Sequence, residues 1–344
     1  LTNDGTRKMV NGTFDWVYEE EFGCRDGFRW SPEGNQIAFW QVDANKIRDY
    51  FMLNTTDSVY SKVIPVEYPK VGEAPSPVRI GVITLYNGFI RWMNIDGDPQ
   101  QHYIPRMEWS GNNELVIQQL DRKQQESKLI YCNSKDGSSR TFWAENDEAW
   151  VDLNTGNPAG WNWINKGQDF LWVSEKDGWR HIYKISRDGK TVTLLTNGNY
   201  DIGEIKAIDE KNSYIYFSAS PENATQSYLY RVKIDSKYSI ITEAKNKLSK
   251  KPPTDPELLS DANLKGTHDY SISPGAKIAL HSFSSYNTPA VNEWIGLPEN
   301  KPLNAAKSIT SSIKTDPNIN VEYFKITTED NIIVESQEQP IEQE

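Results

Sequence analysis

Residues 15–22 read DWVYEEEF, and residues 26–41 read DGFRWSPEGNQIAFWQ. The first stretch places three consecutive carboxylates, Glu19, Glu20 and Glu21, inside an aromatic and apolar frame. Adjacent like charges raise the free energy of ionising one another. A fold that keeps these carboxylates near apolar groups therefore needs a cation that binds to them. Composition alone favours the simpler interpretation, a solvated helix face.

The rest of the sequence has the texture of an all-β protein, because short aromatic and β-branched runs alternate with Gly, Asn, Asp and Pro turns. Almost no segment sustains a helical period. The predicted strands are Ile37–Gln41, Ile80–Leu85, Leu115–Gln119, Phe170–Ser174, His181–Ile185, Tyr214–Ala219, Leu229–Ile234 and Ile278–Ser282.

A loose internal repeat combines a Trp-Ser or Ser-Pro step, a Gly or Asn turn and an apolar strand. It occurs at Trp30–Gly34, Trp109–Asn113 and Ser273–Gly275. The first two copies are separated by about two lengths of a four-stranded propeller blade. A β-sandwich array would give a similar texture, so the repeat alone leaves both architectures open. The turn Asp177–Gly178 predicts a β-hairpin.

Composition excludes several classes of function. The chain has 344 residues with 37 basic and 48 acidic side chains, a net charge of −11, so nucleic acid is not expected as a partner. No run of about eighteen apolar residues is present to span a bilayer. Only Cys24 and Cys132 occur, which excludes a disulfide framework and leaves a single bridge open.

The sequence offers no catalytic residue. It contains no Gly-x-Ser-x-Gly nucleophile elbow, and Ser31 lies in a turn beside a proline that does not suit one. It also lacks the CxxC, HExxH and EF-hand patterns of metal sites and a glycine-rich phosphate cradle. We therefore expect no metal and no cofactor, and we interpret the four histidines as structural.

The strings at residues 15–22 and 26–41 resemble the propeller domain of the dipeptidyl peptidase IV family of serine exopeptidases. The likeness covers roughly residues 1–330 and is weak around residues 245–320. It implies a β-propeller of four-stranded antiparallel blades over residues 1–320, with about five blades of an eight-bladed family propeller. Residues 321–344 would then begin the link to a missing α/β-hydrolase domain, so the chain is expected to be incomplete at both ends.

In that family the second and third glutamates of the YEEE motif hold the free amino terminus of the peptide substrate. The resemblance therefore assigns this role to Glu20 and Glu21. Adjacent residues on a helical turn point about 100° apart, so two neighbours can converge on one cation while Glu19 turns away. Trp16 and Tyr18 are interpreted as packing residues, with a role in shaping the pocket as the alternative. A peptide α-amino group has a pKa of about 7.7 to 8.0 and is mostly a cation at neutral pH. In a water-poor cavity, two carboxylates would select this cation and reject a blocked amine.

The resemblance leaves two classes of function. The first is the propeller of an exopeptidase that removes Xaa-Pro or Xaa-Ala dipeptides and is inactive without its hydrolase domain. The second is a non-catalytic propeller acting as a binding or accessory protein. The family also implies a periplasmic or secreted location and allows a homodimer. The loop at Trp150–Pro158 departs from the family pattern, and the basic segment Lys245–Pro253 is expected to be a solvated loop.

Overall fold

The computed structural model describes residues 1–111, 113–153, 161–234, 255–303, 309–310, 322–329 and 333–338. Contacts divide the chain into two units, residues 1–155 (unit 1) and 156–344 (unit 2). Both units consist of antiparallel sheets, to which the described residues add helix α1 (Trp16–Phe22) and a 3₁₀ turn at Asn165–Gly167.

Unit 1 contains two large sheets and a separate hairpin. Its strands are β1 (Met9–Asn11), β2 (Phe28–Trp30), β3 (Gln36–Asp43), β4 (Asp49–Asn54), β5 (Lys62–Glu67), β6 (Val78–Thr84), β7 (Ile90–Trp92), β8 (His102–Gly111), β9 (Glu114–Asp121), β10 (Glu126–Asn133) and β11 (Ser139–Asn146). The first sheet runs β1-β3-β6-β7, and β2 also pairs with β3. The second is a simple meander, β8-β9-β10-β11, and among the described strands β4 and β5 pair only with each other.

The first sheet is buried on both faces. Successive side chains of a strand point to opposite sides, so the two faces of β3 contribute to two different apolar clusters. On β3, Ala38, Trp40 and Val42 join the main core of the unit, together with residues of β8 and β9. The alternate residues Ile37 and Phe39 pack in a smaller cluster with Ile83 of β6. Because both of its faces are buried, β3 has a near-continuous run of apolar residues. Such a run is a strong signal for a strand in the sequence.

Unit 2 contains three further large sheets. Its strands are β12 (Trp161–Ile164), β13 (Asp169–Ser174), β14 (His181–Ser186), β15 (Val192–Leu194), β16 (Ile202–Asp209), β17 (Tyr214–Ala219), β18 (Tyr228–Lys233), β19 (Glu257–Leu258), β20 (Thr267–Ile272), β21 (Ile278–Ser285), β22 (Thr288–Gly296), β23 (Lys301–Pro302), β24 (Ile309–Thr310), β25 (Glu322–Thr327) and β26 (Ile333–Glu338). The sheets are β12 to β15, β16 to β19 and β20 to β23, with β24 added beside β22. Strands β25 and β26 form a separate hairpin.

The core of unit 2 is shared between neighbouring sheets. On β17, Ile215 and Phe217 face a cluster that includes Leu171 of β13. Between them, Tyr216 points the other way, into a cluster with Tyr270 of β20 and its neighbours. A sheet that is buried on both faces in this way is the arrangement expected of a blade inside a stack.

All eight predicted strands are present, with boundaries within three residues of the prediction. The three copies of the sequence repeat each mark the turn between two paired strands, β2–β3, β8–β9 and β20–β21. The predicted hairpin at Asp177–Gly178 is also confirmed, because Ser174 pairs with His181 across it. The five sheets of four or five strands among the described residues agree with the expected propeller of four-stranded blades.

The sequence after Asn331 is polar, yet Ile333–Glu338 pairs along its whole length with Glu322–Thr327. Backbone pairing does not need apolar side chains, so a polar sequence can complete a hairpin. The predicted loop at Lys245–Pro253 lies outside the described residues.

Candidate functional site

The glutamates lie on helix α1, which begins and ends with strong capping signals. Asp15 is the N-cap, and its Oδ1 accepts a hydrogen bond of 3.2 Å from the backbone N of Tyr18. Gly23 ends the helix at φ 62°, a left-handed conformation that glycine adopts without strain. The acidic motif therefore lies on a helix that is capped at both ends.

Two buried hydrogen bonds tie this helix to distant parts of unit 1. Asp15 Oδ2 accepts a bond of 2.6 Å from Ser76 Oγ. At the next turn, the Tyr18 hydroxyl accepts a bond of 3.0 Å from the backbone N of Ile104 in β8. Because both contacts are buried, losing one partner would leave a polar group without a bond and would cost about 1 to 3 kcal/mol.

Aromatic contacts complete the packing of the helix. Tyr18 is fully buried, and its ring stacks on Phe14 at 5.6 Å between centroids. Trp16 packs on Tyr68, which follows the β4–β5 hairpin, at 4.0 Å. At the C-terminal end, Phe22 meets Tyr103 edge-on at 5.1 Å. Trp16 and Tyr18 thus both have the packing role proposed for them from the sequence.

The three carboxylates have different surroundings. Glu19 lies 3.6 Å from the guanidinium of Arg25, in a partly exposed ion pair. Glu21 is exposed, but its Oε1 accepts a hydrogen bond of 2.6 Å from Nε2 of the buried Gln124. Glu20 is exposed. Glu20 and Glu21 therefore present their carboxylates to solvent on a helix whose other side is locked into the core.

The water-poor cavity expected around Glu20 and Glu21 is not formed by unit 1 itself, since both side chains are exposed. An exposed ion pair contributes only about 0 to 1 kcal/mol. Strong binding of an ammonium group at this surface thus requires that something else exclude water from it. The assignment of these two residues to substrate binding remains a prediction.

Sequence reasoning missed Gln124, the residue that touches the pair. It lies in the turn between β9 and β10 and is separated from Glu21 by 103 positions in the chain. Glutamine in a polar turn carries no signal of a site, so only the folded structure reveals the contact.

Charged groups elsewhere in unit 1 serve the structure. Burial lowers the pKa of Arg106 to about 10 and raises the pKa of Glu108, two residues further along β8. The Arg106 guanidinium donates a bond of 3.1 Å to the carbonyl of Leu153.

Burial likewise raises the pKa of Cys24 to about 11 and of Cys132 to about 12. Both cysteines are free thiols, so the bridge left open by the sequence is not formed.

The four histidines bond to buried or partly buried polar neighbours. Their contacts include His102 Nδ1 to Gln119 Nε2 at 3.0 Å, His181 Nδ1 to Asp177 Oδ2 at 2.9 Å, His268 Nε2 to the carbonyl of Leu264 at 2.8 Å, His268 Nδ1 to His281 Nε2 at 2.9 Å and His281 Nδ1 to Glu293 Oε1 at 3.0 Å. Over the described part of the chain, no group of three or more His, Cys, Asp or Glu is arranged to hold a metal ion. Helix α1 and the other described segments include no helix long and apolar enough to cross a membrane.

The buried N-cap gives a testable pH dependence. Burial is the main cause that raises the pKa of Asp15 above its usual value. The fold therefore favours the protonated acid, and this contribution to stability is complete below the unfolded-state pKa and is lost as pH rises through the folded-state pKa. We expect Asp15→Asn, which keeps an acceptor for Tyr18 N without the charge, to melt at or above the wild-type temperature at pH 7. The difference should shrink as pH falls toward 4.

Asp15→Ala is the matched comparison in the same thermal denaturation series. It removes the cap and the partner of Ser76, so it should destabilise the protein by about 1 to 2 kcal/mol near pH 4, and by less as pH rises and the wild type loses the contribution of the protonated acid. A wild type that gains stability over Asp15→Asn as pH rises would contradict the sign of this pKa shift.

Residues 1–290 match the family described as "Dipeptidyl peptidase IV (DPP IV) N-terminal region". The chain belongs to this family. Its architecture of successive four-stranded antiparallel sheets is that of the family's propeller domain, so the fold expected from the sequence is confirmed. The relatives include proteins that are named as peptidases and others that are named as inactive.

Among dipeptidyl peptidase IV relatives, the chain is 25% identical over 254 residues to a probable dipeptidyl peptidase 4 of Emericella nidulans, covering 67% of this chain and 32% of that protein. It is 28% identical over 244 residues to inactive dipeptidyl peptidase 10 of Mus musculus, covering 67% and 30%. The crystal structure of Porphyromonas gingivalis dipeptidyl peptidase 4 superposes with a TM-score of 0.79 at 24% identity, covering 97% of this chain and 45% of that one. The chain thus spans about a third of the length of these two curated relatives.

Proposed function

We propose that this chain is the propeller part of a serine exopeptidase that releases Xaa-Pro or Xaa-Ala dipeptides from peptide amino termini. In this proposal Glu20 and Glu21 bind the α-amino group of the substrate. One observation carries this proposal: helix α1 presents two adjacent exposed carboxylates. Hydrogen bonds of Asp15 and Tyr18 fix this helix to the core. A merely solvated acidic face would not need such a fixed support.

The chemistry of the pair suits an ammonium group. Neighbouring residues of a helix point about 100° apart, so two carboxylates can approach one cation from two sides while Glu19 pairs with Arg25. Each charge-assisted hydrogen bond is worth about 1.5 to 3 kcal/mol once water is excluded. A blocked amine would leave two desolvated carboxylates without a partner, and this penalty gives the selectivity for a free amino terminus.

The water exclusion and the nucleophile would both come from a hydrolase domain. Members of the family carry such a domain C-terminally in the same chain. In our proposal the hairpin formed by β25 and β26 begins the link to it, over residues 321–344. The distance between the glutamates and the nucleophile would then set the length of the released fragment.

The chain by itself should hydrolyse nothing, since the sequence contains no nucleophile elbow. We expect no turnover of a Gly-Pro anilide by the purified 344-residue chain. Turnover that a serine-directed phosphonate inhibits would show that a catalytic serine lies within these residues.

The β4–β5 hairpin supports a homodimer as part of the proposal. Tyr50, Phe51, Met52 and Leu53 of β4 are 50 to 67% exposed, and Val63 of β5 is 62% exposed. An isolated two-stranded hairpin is marginal in water, and contiguous exposed apolar side chains mark an interaction surface. A second copy of the chain is the occupant we propose, because a twofold interface would let the same apolar patch cover itself.

A non-catalytic propeller is the second candidate, and the similarity to inactive dipeptidyl peptidase 10 of Mus musculus favours it. An assay of the intact protein separates the two. Hydrolysis of a Gly-Pro anilide that a serine-directed phosphonate abolishes would support the peptidase. No hydrolysis, together with no phosphonate labelling, would support the accessory protein.

A further inference from the structure

We propose that Gln124 is a positioning residue for the amino-terminus site, acting by holding the carboxylate of Glu21. This inference rests on the proposed function, and it adds a residue that contacts the site without itself touching the substrate. The contact is a hydrogen bond of 2.6 Å from Gln124 Nε2 to Glu21 Oε1. At this length the amide is a firm charge-assisted donor to the carboxylate.

The two partners of this bond differ in mobility. Glu21 is exposed, and a glutamate on a helix surface samples several rotamers. The side chain of Gln124 belongs to a residue that is only 6% exposed. The buried donor therefore fixes an otherwise mobile carboxylate. The Glu21 side chain loses its conformational entropy when the protein folds, so this loss does not weaken substrate binding.

The backbone of Gln124 is itself held in an unusual conformation. Its φ of 56° lies in the left-handed region, which glutamine seldom occupies. Two hydrogen bonds keep it there, 3.0 Å from its own N to the carbonyl of Asp121 and 2.8 Å from Val151 N to its carbonyl. A residue kept in a strained conformation by its surroundings is typical of functional positions.

The two glutamates differ in how their carboxylates are held. One oxygen of Glu21 is engaged by Gln124, which leaves its other lone pairs for the substrate. Within the described part of the chain, the Glu20 carboxylate makes no hydrogen bond or ion pair with another residue. Glu21 would thus be the fixed half of the pair and Glu20 the adaptable half. Removing the Gln124 amide should weaken the site only through Glu21.

The test is a set of variants in the intact protein, assayed with a Gly-Pro anilide. Gln124→Asn keeps a residue that tolerates positive φ but has a shorter side chain that cannot reach Glu21. We expect kcat/KM to fall about tenfold, mostly through a higher KM, because substrate and transition state lose the same contact. Lys123→Gln, an exposed change in the same turn, should have no effect.

Double-mutant cycles distinguish positioning from a general structural effect. In a Glu21→Gln background, Gln124→Asn should change kcat/KM less than twofold, since the carboxylate it serves is gone. In a Glu20→Gln background it should keep its tenfold effect. Equal effects in both backgrounds, or no effect on the wild type, would overturn the role of Gln124. Normal turnover by Glu21→Gln itself would instead overturn the proposed function.

Discussion

Replacing either Glu20 or Glu21 by glutamine in the intact protein is expected to lower kcat/KM for a Gly-Pro anilide by about two to three orders of magnitude. The change keeps the size of the side chain and removes its charge. The loss corresponds to about 3 to 4 kcal/mol, from weaker charge-assisted binding and from misplacement of the scissile bond. Steady-state kinetics over a range of substrate concentrations would measure it.

Glu19→Gln is the matched control on the same helix turn. Its carboxylate lies beside Arg25, so the expected loss in kcat/KM is less than tenfold. The wild type should also refuse an N-acetylated substrate, because acetylation removes the cation that the pair binds. If both glutamine variants cleave normally, or acetylated peptides are cut as fast as free ones, the acidic run is only a solvated face.

The second large effect concerns the exposed hairpin. Phe51 and Leu53 lie on one face of β4, two residues apart, and are 67% and 62% exposed. In a homodimer that buries this face, the double change Phe51→Glu and Leu53→Glu would place unpaired charges in an apolar interface. We expect the dissociation constant of the dimer to rise at least about 100-fold, measured by analytical ultracentrifugation.

Thr55→Glu provides the control for this experiment, since it adds a charge to the polar stretch Thr55 to Ser58 that follows β4. It should leave the dimer unchanged. A wild type that stays monomeric at high micromolar concentration, or a dimer that tolerates both glutamates on β4, would contradict the proposed interface.

Much of the fold could be predicted from the sequence because its strands carry strong local signals. Strand β3 is an example, since Ile37 to Gln41 combine β-branched and aromatic residues after a Ser-Pro-Glu-Gly turn. The signals of helix α1 were also local, with Asp15 as the cap and Gly23 as the end. In each case the residues that define the element lie within it or directly beside it.

The surroundings of the site could not be predicted in the same way. The exposure of Glu20 and Glu21 depends on which surfaces approach the helix, and the sequence motif does not encode that. The contact from Gln124 depends on a turn between two strands of another sheet. The isolation of the β4–β5 hairpin was equally hidden, because its residues have ordinary strand propensities. The sheet pairing alone shows that, within the described part of the chain, the hairpin joins no larger sheet.

The hydrogen bonds that fix helix α1 also have a consequence for how the protein is made. Seven residues are too few to form a persistent helix in water, so this one depends on its tertiary contacts. Those contacts come from Ser76 and Ile104, which follow Asp15 and Tyr18 by 61 and 86 positions. At about 5 to 20 residues per second, a ribosome adds them several seconds or more after the glutamates have been synthesised. The acidic segment thus emerges early from the ribosome but acquires its structure late, when β8 of the second sheet has been added.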